Sequence, residues 1–184
     1  TSLRPSALTD IGDAPFIVAV GTVEKRKNYR NLVKAFAIAA QEIPELQLVI
    51  AGSTGDDSHE LSQSLELFPK DIAQRIHMIG RVSDENIAWL YQQATVMAYP
   101  SLDEGFGFPL LEAMSEQLPI IGSTRGSSPE VAESAALLVD PLDVEALAEA
   151  ITNVVSDSSL QAQLQHAATD QYSKFSWEKT ADQL

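Results

Sequence analysis

The sequence predicts an α/β domain: a doubly wound, Rossmann-like parallel sheet of about six strands with helices on both faces. Three observations predict it. Short, uniformly apolar runs recur along the chain and end in glycine or proline. Segments with apolar residues at helical spacing alternate with them. Strands buried on both faces read as continuous apolar runs, and their alternation with amphipathic helices marks βαβ units. Finally, 45% of the 184 residues are hydrophobic and no repeat or low-complexity linker interrupts the pattern, so a single domain over residues 1–184 with a full core is expected.

Taken in order, Phe16-Ile17-Val18-Ala19-Val20-Gly21 reads as a buried strand. The polar loop Thr22 to Asn28 leads into a helix carrying Tyr29, Leu32, Val33, Phe36, Ala40 and Ile43, and Pro44 stops it. Gln47 to Gly52 repeats the strand-then-glycine pattern. Ser58 is placed to cap a helix running to about Leu67, with Glu60 in its first turn. Ile76 to Gly80 is a strand, and Ser83 or Asp84 caps the helix of Ile87, Leu90, Tyr91 and Ala94. Thr95 to Tyr99 is a strand closed by Pro100, followed by a helix with Leu110, Leu111 and Met114. Pro119 to Gly122 and Ala136 to Asp140 are strands, separated by a short helix around Pro129 to Glu133. From about Asp143 onward the pattern is helical, with breaks near Asp157 and Ser176.

Composition excludes several functions. The net charge is -14 and the pI about 4.4. A field of that sign repels phosphate backbones and anionic lipids, so no nucleic-acid partner is expected. An anionic ligand would need local positive charge or converging backbone N–H groups. There is no cysteine, hence no disulfide and no thiolate metal site. No apolar stretch is long enough to cross a bilayer, and Thr1-Ser2-Leu3-Arg4-Pro5 lacks the plan of a signal peptide. A cytoplasmic location is the default expectation.

Ligands of open parallel sheets bind beyond the C-terminal strand ends. Two segments there stand out. Lys25-Arg26-Lys27-Asn28 is the densest basic cluster in the chain and follows the first strand. Such a cluster suits a diphosphate, although a solvated loop accounts for it when it stands alone. Neither Gly-x-Gly-x-x-Gly nor a Walker-type Gly-Lys-Ser/Thr is present. The second segment is Glu104-Gly-Phe-Gly-Phe-Pro-Leu-Leu-Glu112. Gly105 and Gly107 leave room for a ligand to approach the backbone. Pro109 fits the first turn of a helix, and the N–H groups of Leu110 and Leu111 are expected to be free to form an anion site. Glu112, one turn further, and Glu104, before the turn, flank that opening. Asp56-Asp57 reads as a polar turn rather than a metal site, and no metal-ligand spacing is found, so metal: none is expected.

Glu104-x7-Glu112, set in Pro100 to Met114, resembles the signature of the retaining family 4 (group 1) glycosyltransferases of GT-B fold. The resemblance covers almost the whole chain. Gly21-Thr22 with Arg26-Lys27-Asn28 is similar to the family's phosphate loop, and Gly80 to Asp84 to its base-binding turn. Pro119-Ile120-Ile121, Pro129-Glu130-Val131 and Ala136 to Pro141 match its closing section. The resemblance implies one half of a GT-B fold, the donor-binding one, with the N-terminal acceptor domain outside this chain. It implies that Gly21, Thr22, Arg26, Lys27 and the backbone of Phe108, Pro109, Leu110 and Leu111 bind the donor's phosphates. Glu104, Gly105, Phe106 and Gly107 would hold the donor sugar, Glu104 also stabilising the oxocarbenium-like transition state as the catalytic residue. Glu112 would bind the ribose, and Gly52, Arg81 and Val82 would border the base.

Two departures matter. The family often has arginine where this chain has Thr22, which shifts phosphate binding onto Arg26 and Lys27. The acceptor domain, which often supplies a histidine, has no counterpart here, and His59, His77 and His166 lie outside the motifs. Phe175-Ser176-Trp177-Glu178 resembles the start of the crossover back to that domain. The expected substrate is a nucleoside-diphosphate sugar, GDP-mannose by the form of the phosphate loop or else a UDP-sugar, with no other cofactor. The expected acceptor is a saccharide or a lipid-linked saccharide of surface polysaccharide synthesis, which would bring the full-length enzyme to the inner face of the membrane. A non-catalytic nucleotide-sugar-binding module working with a separate acceptor chain is the alternative. An epimerase or a phosphorylase of similar architecture is a third possibility, although no lysine has a context suited to pyridoxal.

Overall fold

The computed structural model describes residues 2–175. Strands β1 Phe16–Val20, β2 Gln47–Ala51, β3 Ile76–Gly80, β4 Val96–Tyr99, β5 Ile120–Ser123 and β6 Ala136–Val139 form a six-stranded sheet. Every pairing is parallel, and the order is β3-β2-β1-β4-β5-β6. Helices α1 Tyr29–Glu42, α2 Ser58–Leu65, α3 Lys70–Ala73, α4 Asp84–Gln93, α5 Phe108–Ser115, α6 Ser128–Ala132, α7 Val144–Ser156 and α8 Ser158–Tyr172 surround it. The chain winds outward from β1 to β3, returns to β4 beside β1, and winds outward again to β6. The loops after β1 and β4 therefore diverge around one crevice, the place where such sheets bind ligands.

The period-two alternation of each strand separates two cores. Ile17 and Ala19 point to the layer of Leu32 and Phe36 on α1 and Ile151 on α7. Phe16 and Val18 point to the layer of Leu90 on α4, Leu110 and Met114 on α5, and Val131 on α6. Strands covered on both faces need apolar residues throughout, which is why β1 and β4 read as unbroken apolar runs and β2 and β5 depart from one only at the terminal Gln47 and Ser123. The edge strand β3 is covered less completely, and its His77 and Ile79 are half-buried.

The predicted strands and main helices are present, with local corrections. Ser58 does not cap α2. It is the first helical residue and accepts a hydrogen bond from the Gly55 N–H at 2.8 Å, while Asp57 occupies the cap position. The helix ends at Leu65 rather than near Leu67, and the short α3 after Pro69 escaped the periodicity because it has a single turn. Of the two capping choices before α4, Ser83 is the cap, in a reciprocal capping box with Asn86. Asp157 does break the last helical stretch, its carboxylate accepting from the N–H groups of Ser159 and Leu160. The predicted break at Ser176 and the segment from there onward lie outside the described residues, and α8 ends at Tyr172.

Beyond the sheet, the loops after β1 and β2 continue side by side. The Gly21 N–H donates to the Ala51 carbonyl at 2.9 Å and the Val23 N–H to the Ser53 carbonyl at 2.9 Å. Val23 and Thr54 form an isolated parallel bridge. At Gly52 this approach leaves no space for a side chain, since a Cβ there would fall 1.9 Å from the Gly21 carbonyl oxygen. Gly52 is thus required for the two loops to meet, whatever else it borders. Gly52→Ala should destabilise the fold by about 2–3 kcal/mol through forced backbone displacement, seen as a fall of about 4–12 °C in the thermal midpoint. A midpoint unchanged from wild type would show that the two loops do not pack this closely.

Candidate functional site

The loop after β1 tightens into a 3₁₀ turn over Lys25–Lys27, closed by Asn28 in the left-handed conformation at φ 59°. Asparagine tolerates that conformation better than most residues. Its side-chain amide is buried and donates to the Pro100 carbonyl at 3.1 Å and the Pro141 carbonyl at 2.6 Å. Asn31 also donates to Pro141, at 3.2 Å, and the Leu102 N–H donates to the Arg26 carbonyl at 2.7 Å. The loops following β1, β4 and β6 are thereby fastened together. Asn28 is a residue whose structural work the sequence did not announce. The available signal was an asparagine directly ahead of a helix in an otherwise basic loop.

Glu104 stands at the centre. Its Oε2 lies 2.7 Å from Arg26 Nη1 and its Oε1 is 2.5 Å from Lys27 Nζ. Arg26 also pairs through Nε with Glu24 Oε2 at 2.7 Å. The ammonium of Lys27 lies 4.9 Å from the centre of the Tyr99 ring and 3.5 Å from its hydroxyl. Arg26 and Lys27, the expected phosphate ligands, thus carry carboxylate partners from this chain. Arg26 and Lys27 are already matched by Glu104 and Glu24, because an unpaired ammonium in so buried a place would be costly. Burial pushes the Glu104 carboxyl up, but hydrogen bonding and charge from Lys27, with help from Ser101 and Arg26, outweigh it and hold the group below its ordinary value. Burial, reinforced by neighbouring charge, pushes the Tyr29 and Tyr99 phenols up, so both remain neutral donors.

The glycine-rich turn follows. Gly105 faces open space, while Gly107 caps α5 in the left-handed conformation at φ 85°. Pro109 sits in the first turn, as expected. No side chain caps this helix start. The expectation that the Leu110 N–H is free is corrected: it donates to the Gly107 carbonyl at 2.9 Å. Phe106 and Phe108 are exposed, their rings 5.0 Å apart, and Phe175 meets Phe106 edge-on at 6.4 Å. Glu112, exposed on α5, accepts a hydrogen bond from the buried Tyr91 hydroxyl of α4 at 3.2 Å.

The other candidates are spread along the same edge of the sheet. Gly21 and Thr22 lead directly into the cation loop. The Gly52 N–H donates to the Gly80 carbonyl at 2.9 Å, joining the ends of β2 and β3. Arg81 is exposed and Val82 packs partly into the core layer under α4. These two residues follow β3 at the sheet edge, two strands from β1 and three from β4. The histidines stay apart: His77 bonds Gln47 at 2.9 Å, His166 pairs with Asp170 on the exposed face of α8, and His59 is exposed on α2. Asp56 and Asp57 do more than turn the chain. Asp56 accepts from the Lys25 N–H of the cation loop at 3.0 Å, while buried Asp57 pairs with Arg30 in the first turn of α1 at 3.0 Å and its N–H donates to the Val23 carbonyl at 3.1 Å. Among the described residues no group of acidic or histidine side chains is arranged to hold a metal, and no helix is long and apolar enough to cross a membrane.

The clasp on Glu104 has a pH signature. Its folded-state pKa lies below the unfolded value, so its stabilisation is complete above about pH 4.3 and is lost as pH falls through the folded value. Glu104→Gln should cost about 3–5 kcal/mol at neutral pH by leaving buried Lys27 without a counter-charge. It should also reduce the acid-range slope of stability, measured by denaturant unfolding at a series of pH values. Equal slopes for the two proteins would refute the clasp.

Residues 6–171 match the family model described as Glycosyl transferases group 1. The chain is 35% identical over 169 residues to the O-antigen chain mannosyltransferase B of Escherichia coli, covering 91% of this chain and 44% of that protein. The sucrose-phosphate synthase of Thermosynechococcus elongatus superposes with a TM-score of 0.79 at 31% identity, over 93% of this chain and 44% of that one. The C-terminal domain of a group 1 family glycosyl transferase from Francisella tularensis superposes with a TM-score of 0.76 at 24% identity, over 95% and 93% of the two chains. The chain thus spans less than half the length of the first two relatives but nearly all of a separately solved C-terminal domain. With the family model covering nearly all the described residues, a six-stranded parallel sheet and a cation–carboxylate site at its switch point, the chain belongs to the group 1 glycosyl transferases.

Proposed function

We propose that this chain is the donor-binding half of a retaining hexosyltransferase that uses a nucleoside-diphosphate sugar, GDP-mannose in preference to a UDP-sugar. The observation that carries the proposal is the meeting of Arg26, Lys27 and Glu104 at the switch point, beside the uncapped start of α5. The diphosphate lies between the cation loop and that helix start, where backbone N–H groups and the helix dipole favour anions. Gly21 and Thr22 border it on one side, and the backbone of Phe108, Pro109 and Leu111 on the other. The sugar rests over Gly105, Phe106 and Gly107, its hydroxyls within reach of Glu104. An ionised carboxylate there stabilises the positive charge that develops on the sugar ring as the leaving phosphate departs. Glu112, exposed and already oriented by Tyr91, accepts from the ribose hydroxyls. Gly52, Arg81 and Val82 line the base at the β2 and β3 ends.

Mannose is favoured by the similarity to an O-antigen chain mannosyltransferase and GDP-mannose by the form of the phosphate loop, whereas the similarity to a sucrose-phosphate synthase keeps other donors in play. A saccharide or lipid-linked acceptor, and the domain that binds it, belong to the whole protein in this reading. Titration calorimetry with GDP, UDP and their hexose conjugates decides the donor: GDP-mannose is expected to bind at least about tenfold more tightly than UDP-glucose, about 1.4 kcal/mol. Glu112→Ala should weaken all nucleotides by about 1–2 kcal/mol through the lost ribose hydrogen bonds. Absence of binding by every nucleotide would refute the donor site.

A further inference from the structure

We infer that Tyr91 on α4 is the positioning residue for ribose recognition: its hydroxyl holds one oxygen of Glu112, and through it sets the preference of the site for ribose over deoxyribose. The inference rests on the donor-site reading above and deepens it.

The two side chains differ in freedom. Glu112 is exposed on α5, and a long side chain there must give up rotamer freedom before it can hold a ligand. Tyr91 is 3% exposed and packs in the core layer of Leu90, Leu110 and Met114. Close packing fixes its ring. The Tyr91 hydroxyl donates to Glu112 Oε2 at 3.2 Å, and among the described residues the side chain makes no other hydrogen bond. Phenylalanine would fill nearly the same volume in that layer. What the hydroxyl adds is the contact with Glu112. Burial, reinforced by the charge and hydrogen bonding of Glu112, pushes the phenol well up, so it remains a neutral donor facing the carboxylate.

An ionised carboxylate only accepts, with room for about four hydrogen bonds on its two oxygens. Tyr91 takes one place on Oε2. Oε1 and the remaining lone pair of Oε2 are left for the two hydroxyls of a ribose. A ligand that meets a carboxylate already set in place loses less conformational freedom on binding. The position of Tyr91 extends this effect. Helix α4 starts shortly after Arg81 and Val82, which line the base in the donor-site reading, and its start is fixed by the reciprocal cap of Ser83 and Asn86. From Asp84 to Tyr91 the helix rises about 10 Å. Helix α5, which carries Glu112, starts at the glycine-rich turn. The Tyr91 contact therefore ties the helix behind the base to the helix behind the phosphates, and the nucleoside is read against one packed body.

The test uses this chain, the variants Tyr91→Phe, Glu112→Ala and the two combined, and calorimetry with GDP, UDP and their 2′,3′-dideoxy counterparts. For the ribonucleotide that binds, Tyr91→Phe should weaken affinity about fivefold, the scale of one hydrogen bond. The same variant should hold the dideoxy nucleotide within about twofold of wild type. Once Glu112 is replaced by alanine, Tyr91→Phe should have no further effect on the ribonucleotide. Equal weakening of both kinds of nucleotide, an undiminished effect in the Glu112→Ala background, or unchanged ribonucleotide affinity in Tyr91→Phe would overturn the inference and leave the donor site standing. If Tyr91→Phe does not fold, the carbon-13 signal of Tyr91 Cζ in the unaltered chain decides. A shift on adding the ribonucleotide that its dideoxy counterpart does not produce supports the role, and the same response to both overturns it. Failure of the unaltered chain to bind either GDP or UDP would overturn the donor site and this inference with it.

Discussion

The site depends on one carboxylate. Glu104 draws Arg26 and Lys27 from the loop after β1 onto the loop after β4, across the point where the sheet order reverses. Without it, a buried ammonium would face an aromatic ring and a phenol, with no anion to balance it. The supports are arranged around this pairing. Asn28 holds the cation turn to Pro100 and Pro141, Asp56 braces it from the loop after β2, and Gly21 and Gly52 bring those loops into contact.

This arrangement resolves a difficulty posed by the composition. A chain with a net charge of -14 does not attract a diphosphate from a distance. Nor does the site itself carry a net positive charge, since Arg26 and Lys27 are balanced by Glu24 and Glu104. Under the donor-site reading proposed above, affinity for an anion comes at short range, from the cations of the loop after β1 and the N–H groups at the start of α5. Specificity then lies in geometry more than in field strength, because a ligand that does not reach the cation loop and the helix start together gains little from either.

Much of this was legible in the sequence. The strands were visible because both faces of the sheet are covered, which forces continuous apolar runs, and the Glu104 to Glu112 segment stood out because glycine, proline and paired glutamates have distinct backbone and charge requirements. Three things were not legible. The α3 turn is too short to show a period. The Leu110 amide looked free because its acceptor, the Gly107 carbonyl, becomes available only once Gly107 adopts its left-handed conformation. The pairing of Arg26 and Lys27 with Glu104 is a contact between residues on non-sequential strand ends, and it required the sheet order, which periodicity does not give.

The Asn28 amide has a consequence for how the protein is made. Its acceptor at Pro141 lies 113 residues further along the chain, beyond β6. The cation turn is therefore completed only after nearly all of the sheet has been synthesised and paired. A contact of such sequence separation carries the entropy cost of closing a long loop. During synthesis the carbonyl that anchors Asn28 is still missing when the last strand, β6, has emerged.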